Sequence, residues 1–220
     1  MMMKIHITGR MPEHWQTALA ELSRDLGMVL ADDGTEIRCT RGDELAVVSD
    51  GVSVDLTWST EVEFFRALSL IPVPLTPCDI HEKANFQSAG PMFDCSRNGV
   101  VNPDAMRFFI RKMALMGLNL GMMYTEDTYE VPGRPFFGYK RGRYTYEELK
   151  ALDEYAALFG IELCPCIQTL GHLKMILHWP AFTHLRDQDD VILADLPETY
   201  QLLEEMIKGD IRIIKKGPSD

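Results

Sequence analysis

The chain has 220 residues, 46% of them hydrophobic and 25% charged, which is ordinary for a folded globular protein. This composition argues against a disordered, collagen-like or membrane-spanning chain. The 33 acidic residues outnumber the 22 Lys and Arg residues and give a formal net charge of -11. Because such a charge repels a phosphate backbone, nucleic acid is not an expected partner.

The start of the chain lacks the pattern of a secretory signal. Residues 1–4 lead into a short alternating stretch, whereas a signal peptide needs an apolar region of about 7 to 15 residues. The five cysteines are odd in number and dispersed, which is typical of reduced thiols. We therefore expect a cytoplasmic protein that does not contact a membrane.

The first 78 residues predict a small α/β domain. One helical pattern ends at Gly27, and Thr60 and Glu63 have the spacing of a capping box that opens a second helix. The dipeptide Asp50-Gly51 predicts a two-residue hairpin. The predicted strands are Lys4–Thr8, Glu36–Thr40, Leu45–Val48 and the run from Val52 to Leu56.

A proline-rich stretch then interrupts regular structure. Pro72, Pro74 and Pro77 precede a polar segment that reaches Gly90. We interpret residues 79–90 as a linker between a first domain, residues 1–78, and a second domain, residues 91–220.

Strands and helices alternate in the second part. Helices are predicted to start after Asn102 and Thr145 and to end at Gly117 and Gly160. Such alternation predicts parallel strands joined by right-handed crossovers, in a doubly wound sheet or a (β/α)8 barrel. The predicted strands are Met92–Ser96, Leu118–Thr125 and Ile161–Gln168.

The loops after these strands favour the barrel. Polar residues gather just past the strand ends, at 96–98, 126–129 and 168–172, where barrel enzymes carry their chemistry. A full barrel takes about 250 residues, so residues 91–220 hold about half of one. The expected fold is a small α/β domain followed by a partial (β/α)8 TIM barrel of three to four β/α units.

Four segments in order carry a more specific likeness. They resemble the first three strand-to-loop segments of the family 20 glycoside hydrolases, the β-N-acetylhexosaminidases, especially their intracellular bacterial branch. The stretch Val47–Ile71 is similar to the end of the small α/β domain that precedes the barrel in that family. The four segments are Phe93–Asn98, Tyr124–Glu130, Gly138–Tyr144 and Ile167–Leu173.

The resemblance implies exo-hydrolysis of terminal β-linked N-acetylglucosamine or N-acetylgalactosamine with retention of configuration. In that family the 2-acetamido oxygen of the sugar attacks the anomeric carbon. An Asp that follows the fourth strand orients this group, and the next Glu acts as general acid and base. The implied partner is a sugar or oligosaccharide that ends in N-acetylhexosamine, and no cofactor is expected.

The resemblance also assigns four supporting residues. Arg97 matches the arginine that holds hydroxyls of the terminal sugar, which suits its rigid donor fork. Glu126 and Asp127 match an acidic pair that supports the sugar site and a nearby histidine. His172 matches the histidine that packs near the reacting centre.

Plainer interpretations exist for the same residues. Arg97 is also consistent with a surface ion pair, and Glu126 and Asp127 with a solvated loop. His172, His178 and His184 are six residues apart, which suits neither a helix face nor a strand, so a metal site is not expected.

The catalytic acid pair itself is not found. Asp43-Glu44 precedes a strand, and Asp153-Glu154 and Glu204-Glu205 lie inside predicted helices. Residues 211–214 could begin a fourth strand, but no acidic pair follows them. The leading hypothesis is therefore a hexosaminidase truncated before its acid pair and inactive as this chain alone.

Two alternatives stay open. One is a non-catalytic carbohydrate-binding or assembly subunit that uses the same sugar pocket; the other is a barrel that shares only the fold. A half barrel would also leave an unpaired strand edge, so self-association through that edge is expected if the chain is the whole molecule.

Overall fold

A computed structural model describes residues 2–9, 11–97 and 99–211, with side chains up to Lys208. The chain divides into two compact units. The first contains the described residues up to Gly90 together with Arg107–Leu120 and Tyr155–Glu162. The second contains Pro91–Met106, Gly121–Glu154 and the described residues from Leu163 onward.

The first unit is built on a six-stranded mixed sheet with the order β2-β1-β3-β5-β4-β6. The strands β1, β2, β3 and β5 run parallel, whereas β4 and β6 are antiparallel to their neighbours. Four of these strands confirm the sequence predictions, and two short ones, β2 and β6, were not predicted. The strands are β1 Met3–Thr8, β2 Met28–Leu30, β3 Thr35–Arg41, β4 Leu45–Ser49, β5 Val54–Trp58 and β6 Cys78–Glu82.

The two predicted helices of this unit, α1 His14–Leu26 and α2 Glu61–Leu70, are present and share an aromatic core. Trp15 of α1 stacks on Phe64 of α2, with ring centroids 4.0 Å apart. Both side chains are at most 2% exposed. Full burial of one such side chain is worth about 1.5–3 kcal/mol, so this contact is a main source of stability for the unit.

The predicted two-residue hairpin at Asp50-Gly51 is wrong in length. Ser49 pairs with Val54, so four residues connect β4 and β5. The cause is the Asp50 carboxylate, whose Oδ1 accepts hydrogen bonds from the backbone N–H groups of Val52 and Ser53, both at 2.8 Å. The side chain thus closes a longer turn than the dipeptide alone suggests.

The second unit carries the three strands of the partial barrel. They are β7 Met92–Asp94, β8 Leu120–Tyr124 and β9 Glu162–Cys166, in the sheet order β7-β8-β9. The strands β7 and β8 pair in parallel, with Asp94 beside Tyr124. The predicted α/β fold with a partial (β/α)8 barrel is confirmed.

The crossover helices α3 Pro103–Met116 and α4 Tyr146–Ala157 begin where the sequence predicts and contribute residues to both units. Asn102 Oδ1 accepts the backbone N–H of Ala105 at 2.8 Å, as expected of an N-cap. At α4 both hydrogen bonds of the predicted capping box are formed. Thr145 N donates to Glu148 Oε2 at 2.9 Å, and Glu148 N donates to Thr145 Oγ1 at 3.1 Å.

The last described segment is helical. It contains the short helix α5 Lys174–Leu177, a 3-10 turn at Thr183–Leu185 and the helix α6 Pro197–Ile211. Ile211 is the last residue of α6, so the predicted start of a fourth strand is wrong there, and residues 212–214 lie outside the described part. None of the described helices combines the length and apolarity needed to cross a bilayer. The division at residues 79–90 stays a prediction, although β6 occupies part of that stretch.

Candidate functional site

Arg97 follows β7 and is held by the last residue of that strand. Its Nη1 donates to Asp94 Oδ2 at 2.7 Å. Asp94 Oδ1 accepts from the Ser96 backbone N–H at 3.0 Å and from Ser96 Oγ at 2.7 Å. These contacts hold the pKa of the Asp94 carboxyl well below its usual range, with the Arg97 guanidinium as the largest cause. The Arg97 side chain is still 64% exposed, so it is oriented and also accessible.

The parallel pairing of β7 and β8 brings a second group to Arg97. Because Asp94 lies beside Tyr124 in the register, the Arg97 guanidinium sits 5.4 Å from the centre of the Tyr124 ring. The Tyr124 hydroxyl donates to Glu126 Oε1 at 3.1 Å. Burial and the charge of Glu126 both raise the pKa of Tyr124. Arg97 and Glu126 therefore belong to one cluster with Asp94 and Tyr124.

Asp127 directly follows Glu126 in the chain and is only 2% exposed. Arg141 Nε is 3.3 Å from Asp127 Oδ1, but neither carboxylate oxygen has a hydrogen-bond partner among the described residues. Burial raises the pKa of Asp127, and the charge of Arg141 opposes that rise. Arg141 Nη2 also donates to the Ser96 carbonyl, next to Arg97 in the chain. Arg141 thus connects the buried Asp127 to the loop that carries Arg97.

His172 follows β9 and is exposed. Its loop is closed by residues 187–192: Leu173 N donates to the Asp190 carbonyl at 3.0 Å, and Ile192 N donates to the Leu170 carbonyl at 3.2 Å. Within the part of the chain that the structure covers, no hydrogen bond or ion pair joins His172 to Arg97, Glu126 or Asp127. The structure groups three of the four predicted residues, while His172 lies on the neighbouring loop.

Two of the four residues have an unusual backbone. Glu126 has φ 48° and His172 has φ 57°, in the left-handed region that costs a residue with a side chain about 1–2 kcal/mol. Such conformations gather at functional sites, because packing must hold them against this cost. The strain at the ends of β8 and β9 adds an independent reason to place a site there.

Sequence reasoning missed three residues at or next to this cluster. Asp94, Tyr124 and Arg141 all fall within the segments that carry the family likeness, but none was predicted as a site residue. The spacing of Asp94 three residues before Arg97 was the available signal for the first. The other two depend on strand register and on the path of a long loop, which a single sequence does not reveal.

The acidic pairs 153–154 and 204–205 lie inside helices, as the sequence predicts. Asp153-Glu154 lies inside α4, and Glu205 of α6 pairs with Arg134 at 2.7 Å. Among the described residues, no three His, Cys, Asp or Glu side chains are arranged to hold a metal ion.

A cavity of about 820 Å³ lies elsewhere in the second unit, between the loop after β8 and α6. It includes none of the four predicted site residues. Its charged lining is mixed, with Glu130, Glu147 and Glu205 against Arg134, Arg143 and Lys208.

Known proteins resemble this chain in structure but not detectably in sequence. No protein-family model matches the sequence, and no curated protein is matched by sequence. Solved structures do match. The family 20 exo-β-N-acetylglucosaminidase of Vibrio harveyi, in complex with N-acetylglucosamine, has a TM-score of 0.80 and 17% identity, over 97% of this chain and 42% of that one.

Two further structures agree. The N-acetyl-β-hexosaminidase of Streptomyces plicatus has a TM-score of 0.76 and 17% identity, over 94% of this chain and 52% of that one. The β-N-acetylhexosaminidase of Bacteroides fragilis has a TM-score of 0.75 and 14% identity, over 99% and 53%. The chain thus spans about half the length of these proteins. Over that span it shares the fold of the family 20 glycoside hydrolases.

Proposed function

We propose that this chain forms the sugar-binding wall of a β-N-acetylhexosaminidase, with Arg97 as the residue that binds hydroxyls of a terminal N-acetylhexosamine. The main observation in support of this proposal is that the Arg97 side chain is exposed and is oriented by Asp94 at the carboxyl end of β7. A guanidinium presents several N–H donors in a fixed plane, which suits neighbouring hydroxyls of a sugar ring. The N-acetylglucosamine bound in the Vibrio harveyi structure supports this class of ligand.

Electrostatics support the same role. Because Asp94, itself held by Ser96, fixes Arg97 before any ligand arrives, little side-chain freedom is lost on binding. Glu126, beside Tyr124, offers a carboxylate acceptor on the same loop cluster. Donor and acceptor groups of this kind are what a polyhydroxylated ring needs.

Bond cleavage requires groups that these residues do not supply. The proposed chemistry uses the 2-acetamido group of the sugar as nucleophile, an Asp to orient it and a Glu as general acid and base. The described Asp-Glu dipeptides lie inside α4 or just before β4, and neither follows a strand of the partial barrel. We therefore assign positioning, and not proton transfer, to the residues of this chain.

Binding of N-acetylglucosamine, measured by calorimetry, tests the proposal. The wild-type chain is expected to bind the sugar, and Arg97→Ala to bind at least about tenfold more weakly, since hydrogen bonds to a charged group contribute about 1.5–3 kcal/mol. Arg38→Ala is the matched control, because Arg38 also pairs with a carboxylate, at 2.6 Å from Asp55, in the first unit. That variant is expected to bind like the wild type.

Two results would count against the proposal. One is the absence of sugar binding by a cleanly folded wild-type chain, which would favour a barrel that shares only the fold. The other concerns activity: hydrolysis of a chromogenic N-acetylglucosaminide that Arg97→Ala abolishes would contradict the assignment of positioning alone.

A further inference from the structure

The cavity between the loop after β8 and α6 has the size of a small-molecule site. Its volume is about 820 Å³. Ligand sites in proteins typically measure about 300–1,000 Å³. Every lining residue belongs to the second unit, so one compact body forms the whole cavity. The lining comes from residues 130–135 and 143 of the loop, residues 146–147 at the start of α4, and Glu205 and Lys208 of α6.

Some charges of the lining are already paired. Arg134 Nε donates to Glu205 Oε2 at 2.7 Å, and Arg134 Nη2 donates to Glu205 Oε1 at 3.3 Å. Gln201 Nε2 adds a third hydrogen bond to the same carboxylate, at 3.0 Å. Lys208 pairs with Glu204, one turn earlier in α6. Because these charges are neutralised within the protein, they connect the loop to α6 and do not select a ligand.

Two glutamates of the lining have no cation beside them. Glu130 Oε2 accepts a hydrogen bond from the Tyr146 backbone N–H at 3.4 Å, and Glu147 is the next residue and is exposed. Within the described part of the chain, neither Glu130 nor Glu147 pairs with a Lys, Arg or His side chain. The start of α4 thus offers two carboxylates to the cavity, and carboxylates are strong acceptors for an ammonium group.

A cation of the lining lacks a carboxylate. Arg143 Nη1 donates to the carbonyl oxygens of Phe137 and Pro135, the latter at 3.4 Å. These hydrogen bonds hold the guanidinium without neutralising its charge. No Asp or Glu among the described residues pairs with Arg143. Its other N–H donors therefore remain for a ligand carboxylate, which a guanidinium binds through two parallel hydrogen bonds.

The remaining lining includes apolar surface. Val131, Pro132 and Pro135 contribute aliphatic groups. Gly133 leaves open space beside them, because nothing lies within 4 Å of a Cβ placed on it. Covering such a surface with the hydrocarbon part of a ligand is favourable. Unpaired charges of both signs next to apolar groups match a molecule that has an ammonium group, a carboxylate and apolar side chains.

Other classes of ligand fit this lining less well. A phosphate or a simple anion would meet the Glu130 and Glu147 carboxylates, which repel it. A neutral sugar has no charge to neutralise these carboxylates or the Arg143 guanidinium. A metal ion needs several clustered ligands, and among the described residues no three His, Cys, Asp or Glu side chains are arranged to hold one.

We propose that this cavity, here called the peptide cavity, binds a short peptide with free ends. The ammonium group of the peptide lies at Glu130 and Glu147, and its carboxylate lies at Arg143. The peptide cavity shares no residue with the sugar site at Arg97, so it adds a second class of ligand and goes beyond the proposed function.

Calorimetry with three forms of one dipeptide, alanyl-leucine, tests the proposal. The forms are the free dipeptide, its N-acetylated derivative and its C-terminal amide. The wild-type chain is expected to bind the free dipeptide and to bind each blocked form at least about tenfold more weakly. The reason is that each block removes one charged group and its hydrogen bonds, whereas the apolar side chains stay the same.

Two variants assign the two ends of the peptide. Glu147→Gln is expected to weaken binding of the free dipeptide about tenfold and to have no further effect on the N-acetylated form. Arg143→Met is expected to weaken binding of the free dipeptide by a similar factor and to have no further effect on the amide. A variant that weakens the free and the corresponding blocked form equally would contradict the assignment of that end.

Controls separate folding from binding. Glu154→Gln is matched to Glu147→Gln, because Glu154 lies on the same helix, outside the cavity, and its side chain is 57% exposed. Glu154→Gln and Arg97→Ala are both expected to bind the free dipeptide within about twofold of the wild type. Thermal unfolding of each variant checks its fold. If Arg143→Met does not fold, the amide and Glu147→Gln still test the proposal.

Three results would overturn the proposal. The first is a cleanly folded wild-type chain that binds none of the three forms or binds all three equally. The second is dipeptide binding that neither Glu147→Gln nor Arg143→Met weakens, which would place the peptide elsewhere. The third is loss of dipeptide binding in Arg97→Ala, which would show that peptide and sugar share one site. Because N-acetylglucosamine binding is measured separately, failure of the peptide proposal leaves the sugar proposal standing.

Discussion

Two aspartates around the proposed site differ in their electrostatics. Asp94 is exposed to solvent and paired with Arg97, which lowers its pKa. Asp127 is buried, and burial raises its pKa despite the nearby Arg141. The same residue type thus has opposite shifts because one carboxylate gains hydrogen bonds and the other loses water.

The buried pair gives a prediction about stability. Replacing Arg141 by Met would leave the Asp127 carboxylate buried without its cation, a change that typically costs about 3–5 kcal/mol. Because Asp127 already has a raised pKa, its ionised form destabilises the fold as the pH rises from the ordinary value of 3.8 upward. The loss in free energy of unfolding is therefore expected to be larger at pH 8 than at pH 5, as measured by urea titration.

The double variant Arg141→Met with Asp127→Asn is the control for this prediction. It removes the buried charge, so its loss of stability relative to Asp127→Asn alone should not depend on pH. An equal loss for Arg141→Met at both pH values would contradict the role assigned to the pair.

For individual residues, the family likeness predicted the positions of side chains along the strands and loops. It did not predict which groups those side chains would contact. Arg97 and Glu126 do lie at one end of the strands, as their motifs predict. The sequence did not reveal that Arg141 would reach Asp127, since fourteen positions of loop separate them and a long loop has many possible paths. The left-handed backbone at Glu126 and His172 was likewise not predictable, because Glu does not favour it and the enrichment of His in this region does not single out one histidine among several.

The loop after β8 is an element held together by close backbone contacts. Gly138 has φ 64°, and a Cβ there would lie 2.4 Å from the Asp127 carbonyl oxygen and 2.9 Å from the Arg143 side chain. Gly133, in the same loop, has φ 80° but nothing within 4 Å of such a Cβ. The two glycines share a conformational demand and differ in their surroundings.

This contrast allows a paired experiment. Both Gly133→Ala and Gly138→Ala should lose about 1 kcal/mol from the left-handed backbone. Gly138→Ala is expected to lose at least about 2 kcal/mol more, because its Cβ would overlap the Asp127 carbonyl. Thermal unfolding of the two variants measures the difference. Equal losses would show that the backbone around Gly138 shifts to accommodate a Cβ.

Elements with local signals were predictable, and elements that need a partner were not. The Thr145–Glu148 capping box opens α4 as predicted, because both hydrogen bonds lie within four residues. By contrast, β6 is defined by its pairing with β4, about thirty positions earlier in the chain, and its own sequence has weak strand character. The predicted length of the β4–β5 turn was wrong for a different, local reason, because the Asp50 carboxylate accepts hydrogen bonds from Val52 and Ser53 and so closes a longer turn than the dipeptide rule predicts.

On the scale of the whole molecule, charged side chains connect the first ninety residues to a later segment of the same unit, residues 107–120. Asp25 of α1 accepts from Arg111 Nε at 3.0 Å and from Lys112 Nζ at 2.7 Å, and its side chain is 17% exposed. Burial opposes ionisation of Asp25, but the two cations together lower its pKa. These contacts link residues more than eighty positions apart.

Asp25→Asn is expected to lower the free energy of unfolding by about 1.5–3 kcal/mol at pH 7, the usual contribution of hydrogen bonds to charged groups. A lowered pKa contributes stability that is complete above 3.8 and is lost as the pH falls through the lowered value. The difference between variant and wild type should therefore shrink below pH 3.8. Denaturant titrations at pH 7 and pH 3 measure it.

Asp33→Asn provides the comparison, because Asp33 pairs with Lys4 at 2.7 Å but its side chain is 72% exposed. Exposed pairs contribute little, so this change should cost less than about 1 kcal/mol. Similar losses for the two variants would mean that Asp25 acts as an ordinary surface charge.

The composition of the first unit has a consequence for dissecting the protein. Residues 107–120 and 155–162 belong with the first ninety residues, so the chain passes between the two units five times. A fragment that ended near Gly90 would lack Phe159, whose ring packs against Phe65 at 5.4 Å, and would leave part of its own interior uncovered. The two units are therefore not interchangeable modules, and a chimera that joined the first ninety residues to a foreign barrel would need to carry those two interior segments with them.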